Sequence, residues 1–83
     1  MEVQSPGRLS TLGRATVYFY TRGNPALTAC LVGRLNEGRS LRDVARLHRV
    51  DRQVVAVRTE EYIRLMRVFC EEYGVAMEEM VGG

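Results

Sequence analysis

The sequence predicts a mainly α-helical fold: a bundle of three to four helices with one N-terminal β-strand that pairs across a dimer. Three observations carry this. Apolar residues recur at helical spacing over Leu27–Leu35, Val44–His48 and Tyr62–Tyr73. Residues suited to capping, Asn24, Ser40 and Asp51, stand just ahead of helical stretches. Ala15 to Thr21, by contrast, is aromatic and β-branched with alternating faces.

Residues 1–13 are rich in Ser, Gly and Pro without periodicity and read as a flexible arm, leaving 14–83 as a single domain. In the expected strand Val17 and Phe19 share one face, and Thr16, Tyr18 and Tyr20 the other. A lone strand needs a partner. Within the chain only the weak Leu9–Leu12 segment offers itself, so the strand pairs with its copy in a second subunit, or its aromatic stripe packs in the core.

Arg22-Gly-Asn-Pro25 breaks the strand and starts a helix, with Asn24 as cap and Pro25 in the first helical position. Leu27, Leu31 and Leu35, with Cys30 beside them, form its inner face, and Asn36-Glu-Gly38 ends it with a left-handed glycine. Ser40 caps the next helix, which runs from about Leu41 to His48, with Asp43 three residues on in a capping-box-like arrangement. Asp51 caps the one after. From Thr59 to Tyr73 a wide stripe of Tyr62, Ile63, Met66, Phe69, Cys70 and Tyr73 gives a C-terminal helix for core packing or dimerisation. The β-branched run Val54, Val55, Val57, Thr59 lowers propensity where that helix would join its predecessor. Gly74 ends it, and Ala76 to Val81 adds a last short turn.

The segment from Ser40 to Val55 is the most informative. Val44, Ala45 and His48 occupy one face of a first short helix, and Val50, Val54 and Val55 continue the buried surface after a turn too short for a loop. Ala45 is small enough to let two helices cross closely. The run Val44-Ala-Arg-Leu-His-Arg-Val-Asp-Arg-Gln-Val-Val55 resembles the helix-turn-helix family of DNA-binding proteins, as found in small repressors and in recombinase and transposase DNA-binding domains. The resemblance covers roughly residues 25 to 60, with the motif at about 40–58. Two positions depart from it. Arg49 stands where the family usually has Gly, at a left-handed cost of about 1 kcal/mol for a residue with a side chain. Arg58 stands where an apolar residue is usual.

The resemblance implies base contacts through Arg52, Gln53, Ala56 and Val57, and backbone contacts through Arg39, Ser40 and Arg42, joined by Arg49. The chemistry suits those roles. Arg can donate two bonds to guanine, Gln can pair with the adenine edge, and Ala or Val can rest on a thymine methyl. Backbone contacts position the protein without choosing sequence. Arg8 and Arg14 are further candidates for touching a DNA backbone or minor groove from the arm or strand, although an ordinary frayed terminus is the better account of the arm.

Charge is polarised along the chain. Residues 1–58 hold ten Arg and four acidic residues, and residues 59–83 two Arg and six Glu, within a net charge of +2. The basic part suits phosphate, and the acidic tail belongs on the far side of the domain. Every basic residue is Arg, which favours paired contacts.

Eighty-three residues leave little room for an enclosed catalytic cleft, and chains of this size often extend their core by pairing, so a homodimer is expected. Tyr18 and Tyr20 on the strand, or Tyr62, Met66, Phe69 and Tyr73 on the last helix, are its candidate interface. Cys30 and Cys70 read as small core residues, since one His and no CxxC spacing make no familiar zinc site. No nucleophile is paired with a base, and no enzyme activity, cofactor or metal is expected. Apolar runs are too short for a membrane span or a secretory signal, so a cytoplasmic location is expected. The leading expectation is a small dimeric transcriptional regulator, a repressor that occupies a near-palindromic operator on double-stranded DNA. A ribbon-type dimer reading DNA through Arg14, Thr16 and Tyr18 is a variant. The alternative is a protein-binding adaptor that docks its C-terminal helix on a larger partner such as transcription machinery.

Overall fold

Ser10 caps a helix where the alternating pattern suggested a strand. In the computed structural model, which describes residues 9–80, the chain forms α1 (Thr11–Thr21), α2 (Pro25–Leu35), α3 (Leu41–His48), α4 (Arg52–Tyr73) and α5 (Met77–Met80). No strand occurs among the described residues. The reason lies in which side chains are buried: Gly13, Val17 and Thr21 recur every fourth residue and make the inward stripe of α1. Phe19, which a strand would place beside Val17, is 77% exposed. Ser10 Oγ accepts from the Gly13 amide, and the hydroxyls of Thr16 and Thr21 donate back to the carbonyls of Gly13 and Tyr18. Side chains that weaken helical propensity are thereby absorbed by the helix's own backbone.

This corrects three expectations. A strand over Ala15–Thr21 cannot pair across a dimer, and the ribbon-type reading through Arg14, Thr16 and Tyr18 loses its element. The arm is also shorter than residues 1–13. Leu9 is buried and its amide donates to Asn36 Oδ1 at 2.9 Å, and Thr11 already begins α1. Arg8, with the rest of residues 1–8, lies outside the described residues, whereas Arg14 is exposed on α1.

Asn24 and Pro25 start α2 as the sequence indicates, with Asn24 Oδ1 accepting from the Leu27 amide at 2.9 Å. The helix ends at Asn36 in a right-handed conformation. Gly38 (φ 68°) follows two residues later and redirects the chain, so that the Arg39 amide reaches the Gly33 carbonyl at 3.0 Å.

Two apolar clusters hold the helices together. One gathers Leu9, Val17, Leu31, Tyr62, Met66, Cys70 and Met80; the other gathers Cys30, Val44, Ala45 and Val55, flanked by Leu41 and Val50. Neighbouring residues of α2, Cys30 and Leu31, serve different clusters, which makes α2 the support between them. Each fully buried Val or Leu here contributes about 1.5–3 kcal/mol. Both cysteines are free and buried, and burial pushes the Cys30 thiol up from its ordinary pKa.

The helix capped by Asp51 and the C-terminal helix expected from residue 59 are one element, α4, of 22 residues. Its β-branched run is tolerated because Val55 and Thr59 are buried and Thr59 Oγ1 donates to the Val55 carbonyl at 2.7 Å. Val54, expected inside, is 44% exposed because it lies off the stripe Val55, Thr59, Tyr62, Met66, Cys70. Gly74 (φ 66°) stops the helix.

α5 returns the chain to the start of α1. The Ser10 amide donates to the Met80 carbonyl at 2.9 Å, and a Cβ on Gly13 would stand only 2.2 Å from that oxygen. The assembled helices span 36 × 34 × 17 Å. Among the described residues no helix is long and apolar enough to cross a membrane.

Candidate nucleic-acid interface

Ser40 opens α3 by accepting from the Asp43 amide at 3.1 Å. The Asp43 carboxylate meets Arg46 Nη2 at 3.4 Å and also complements the positive end of the helix. Arg49 closes α3 in the left-handed region (φ 58°, ψ 43°), its amide donating to the Ala45 carbonyl. Val50 donates to the same carbonyl at 3.0 Å, and Asp51 Oδ1 then accepts from the amides of Gln53 at 2.7 Å and Val54 at 3.4 Å. Residues 49–51 therefore carry the chain from one helix to the next.

Small residues bring the helices close. Ala45 is 8% exposed between fully buried Val44 and Val55, and a Cβ on Gly33 would stand 2.8 Å from Val44 Cγ1. α3 is thus clamped between α2 and the first two turns of α4.

With Val55 turned inward, Arg52, Gln53 and Val57 are exposed and Ala56 is half-buried. At 100° per residue these four fall within one sector of about 140°. Arg39, Ser40, Arg42 and Arg49 are likewise exposed. Arg39 Nε meets Glu37 Oε1 at 2.8 Å, and its carbonyl accepts from Arg34 Nη1 at 2.8 Å, which pins the connection into α3. Among the described residues, no carboxylate lies within ion-pair distance of Arg42, Arg49 or Arg52.

Arg46 is a member of this surface that the sequence reading passed over. Its side chain is 77% exposed and, with Arg39, Asp43, Leu47 and Arg49, it borders an open hollow of about 490 Å³. Three guanidinium groups against one carboxylate suit an anionic oxygen. The signal was present as Arg42, Arg46 and Arg49, spaced four and three apart on one helical stripe.

The departure at Arg58 has a structural reason. Arg58 Nη1 lies 3.5 Å from Glu61 Oε1, and the Tyr20 hydroxyl donates to the same carboxylate oxygen. A polar bridge from α4 to α1 takes the place of an apolar contact, and the Tyr20 contact raises the Arg58 pKa further.

The acidic residues Glu71 and Glu72 lie near the other end of α4, about 30 Å along the helix from Arg52. Of the residues expected at a dimer interface, Tyr62 and Met66 belong to the chain's own core, at 3% and 6% exposure. The Tyr62 hydroxyl meets Thr16 Oγ1 at 2.7 Å and Gly13 O at 3.2 Å, and the Tyr20 ring packs against its ring at a tilt of 54°. Tyr18 and Tyr73 are exposed and Phe69 is half-buried. Phe19, Leu65 and Val68, not among those interface candidates, are exposed as well. Phe19, Leu65 and Phe69 rim an apolar groove of about 390 Å³ floored by Tyr62, Met66 and Met80.

Comparison with protein-family models, with characterised proteins and with solved structures finds no match to this chain.

Proposed function

We propose that the chain is a helix-turn-helix protein that binds double-stranded DNA sequence-specifically, as a small dimeric transcriptional regulator acting by operator occupancy. The observation that carries this reading is the joint exposure of Arg52, Gln53 and Val57 on the first turns of α4 beside the arginines of α3. Arg52 and Gln53 supply the donors and acceptor for guanine and adenine edges, and Val57, with Ala56, supplies apolar contact for a thymine methyl. Arg39, Arg42, Arg46 and Arg49 neutralise phosphates on either side, and Ser40 sits at the helix start where an amide and hydroxyl suit the same role. The clamp at Gly33, Ala45 and Val55 holds this surface rigid before DNA arrives.

A gel shift against random-sequence duplex tests the reading. Binding at low salt that falls steeply at moderate salt is the expected result. Little binding at either salt speaks for an adaptor that uses its apolar α1–α4 groove instead.

A further inference from the structure

We propose that two copies pair antiparallel through the outer face of α4, on a two-fold axis at Leu65, and that this pairing sets the distance between the two DNA-reading ends. The inference rests on the DNA-binding reading for its second half only.

Arg58, Leu65 and Glu72 are successive heptad positions of α4 and lie on one stripe, all three exposed. Because Arg58 and Glu72 are each seven residues from Leu65, an antiparallel crossing there places Arg58 of each copy opposite Glu72 of the other. A parallel pair would set Arg58 against Arg58 and Glu72 against Glu72. Charge therefore favours the antiparallel arrangement, in which Arg58 is shared between Glu61 of its own chain and Glu72 of the other copy.

The apolar content points to the same face. Leu65 is 51% and Val68 52% exposed, and Phe19 at 77% stands across the groove from Leu65. Among the described residues nothing covers these three side chains. An exposed apolar patch of this kind marks an interaction site, and Arg58, Glu61, Arg64 and Glu72 give it a charged rim.

The register has a geometric consequence. Arg52 precedes Leu65 by thirteen residues and Gln53 by twelve, which puts the paired Arg52 backbones about 39 Å apart and the paired Gln53 backbones about 36 Å apart at 1.5 Å per residue. One turn of B-DNA separates half-sites by about 34–36 Å. Ala56 and Val57 fall inside that span, at about 27 and 24 Å.

Cross-linking and sedimentation without DNA test the pairing. Leu65→Cys, placed on the axis, is expected to form an intersubunit disulfide on mild oxidation, whereas Arg58→Cys alone is not. Mixed Arg58→Cys and Glu72→Cys chains are expected to cross-link to each other. Arg58→Glu and Glu72→Arg should each weaken dimerisation at least tenfold, and the double exchange should restore it. A chain that sediments as a monomer at its highest soluble concentration, or a dimer in which Leu65→Cys fails to cross-link, overturns the proposal. A monomer that still binds duplex removes this pairing and leaves the DNA-binding reading standing, whereas a cross-linked dimer without duplex affinity does the reverse.

Discussion

Gly33 of α2 faces Val44 of α3 so closely that a methyl group on Gly33 would come within 2.8 Å of Val44 Cγ1. The contact fixes how deeply α3 seats on its support, and through Ala45 and Val55 it fixes where α4 leaves the turn. Gly33→Ala is therefore expected to destabilise the fold by about 1–3 kcal/mol through overpacking. Chemical denaturation checks this, and in a double-mutant cycle Val44→Ala should recover part of the loss.

Arg49 separates stability from binding. Its left-handed backbone costs a side-chain-bearing residue about 1–2 kcal/mol, partly offset in Gly by the greater entropy of its unfolded chain. Arg49→Gly is expected to raise stability by about 0.5–1 kcal/mol while lowering duplex affinity, read by denaturation and by titration with DNA. A stabilised variant with unchanged affinity would remove Arg49 from the interface.

Asp51 satisfies two amides at the start of α4. Asp51→Ala is expected to cost about 0.5–2 kcal/mol. Hydrogen exchange should locate the loss in the first turn of α4, with the Gln53 and Val54 amides exchanging faster.

Tyr62 makes stability pH-dependent at the alkaline end. Burial raises its phenol above the ordinary value of 10.0, with the Thr16 hydrogen bond acting in the opposite direction. The folded state thus holds the proton after the unfolded chain has released it, so this stability is complete below about pH 10 and is lost as pH rises through the folded pKa. Denaturation midpoints should fall above pH 10, and Tyr62→Phe should flatten that fall.

Much of this architecture could be read from residues whose local chemistry has few alternatives. Asn24-Pro25, Ser40 and Asp51 each cap the helix that follows, and Gly74 closes α4 as its place after Tyr73 suggested. The exposed pair Arg52 and Gln53 was legible from the pattern, since the two polar residues directly after the cap precede the inward-facing Val55. α1 was not. Its Val-Tyr-Phe-Tyr-Thr stretch has strand-like composition, and the helical period of Gly13, Val17 and Thr21 is hidden because only Val17 among them is strongly apolar. Contacts distant in sequence decided the rest. Ser10 is tied to Met80, and Tyr62 is drawn under Thr16, so a tyrosine offered for a dimer interface belongs to the core. Arg46 shares a stripe with Arg42 and Arg49, but the open hollow that it borders with Arg39 and Arg49 exists only in the folded chain.

The division of labour between α3 and α4 is tested most directly by comparing Arg52→Ala with Arg42→Ala on a duplex selected by the wild-type chain and on random duplex. Arg52→Ala is expected to lose about 1–3 kcal/mol on the selected duplex and little on random DNA. Arg42→Ala should weaken both alike and reduce the salt slope by about one. Equal losses on selected and random duplex for both variants, or wild-type binding that does not respond to salt, would contradict the account.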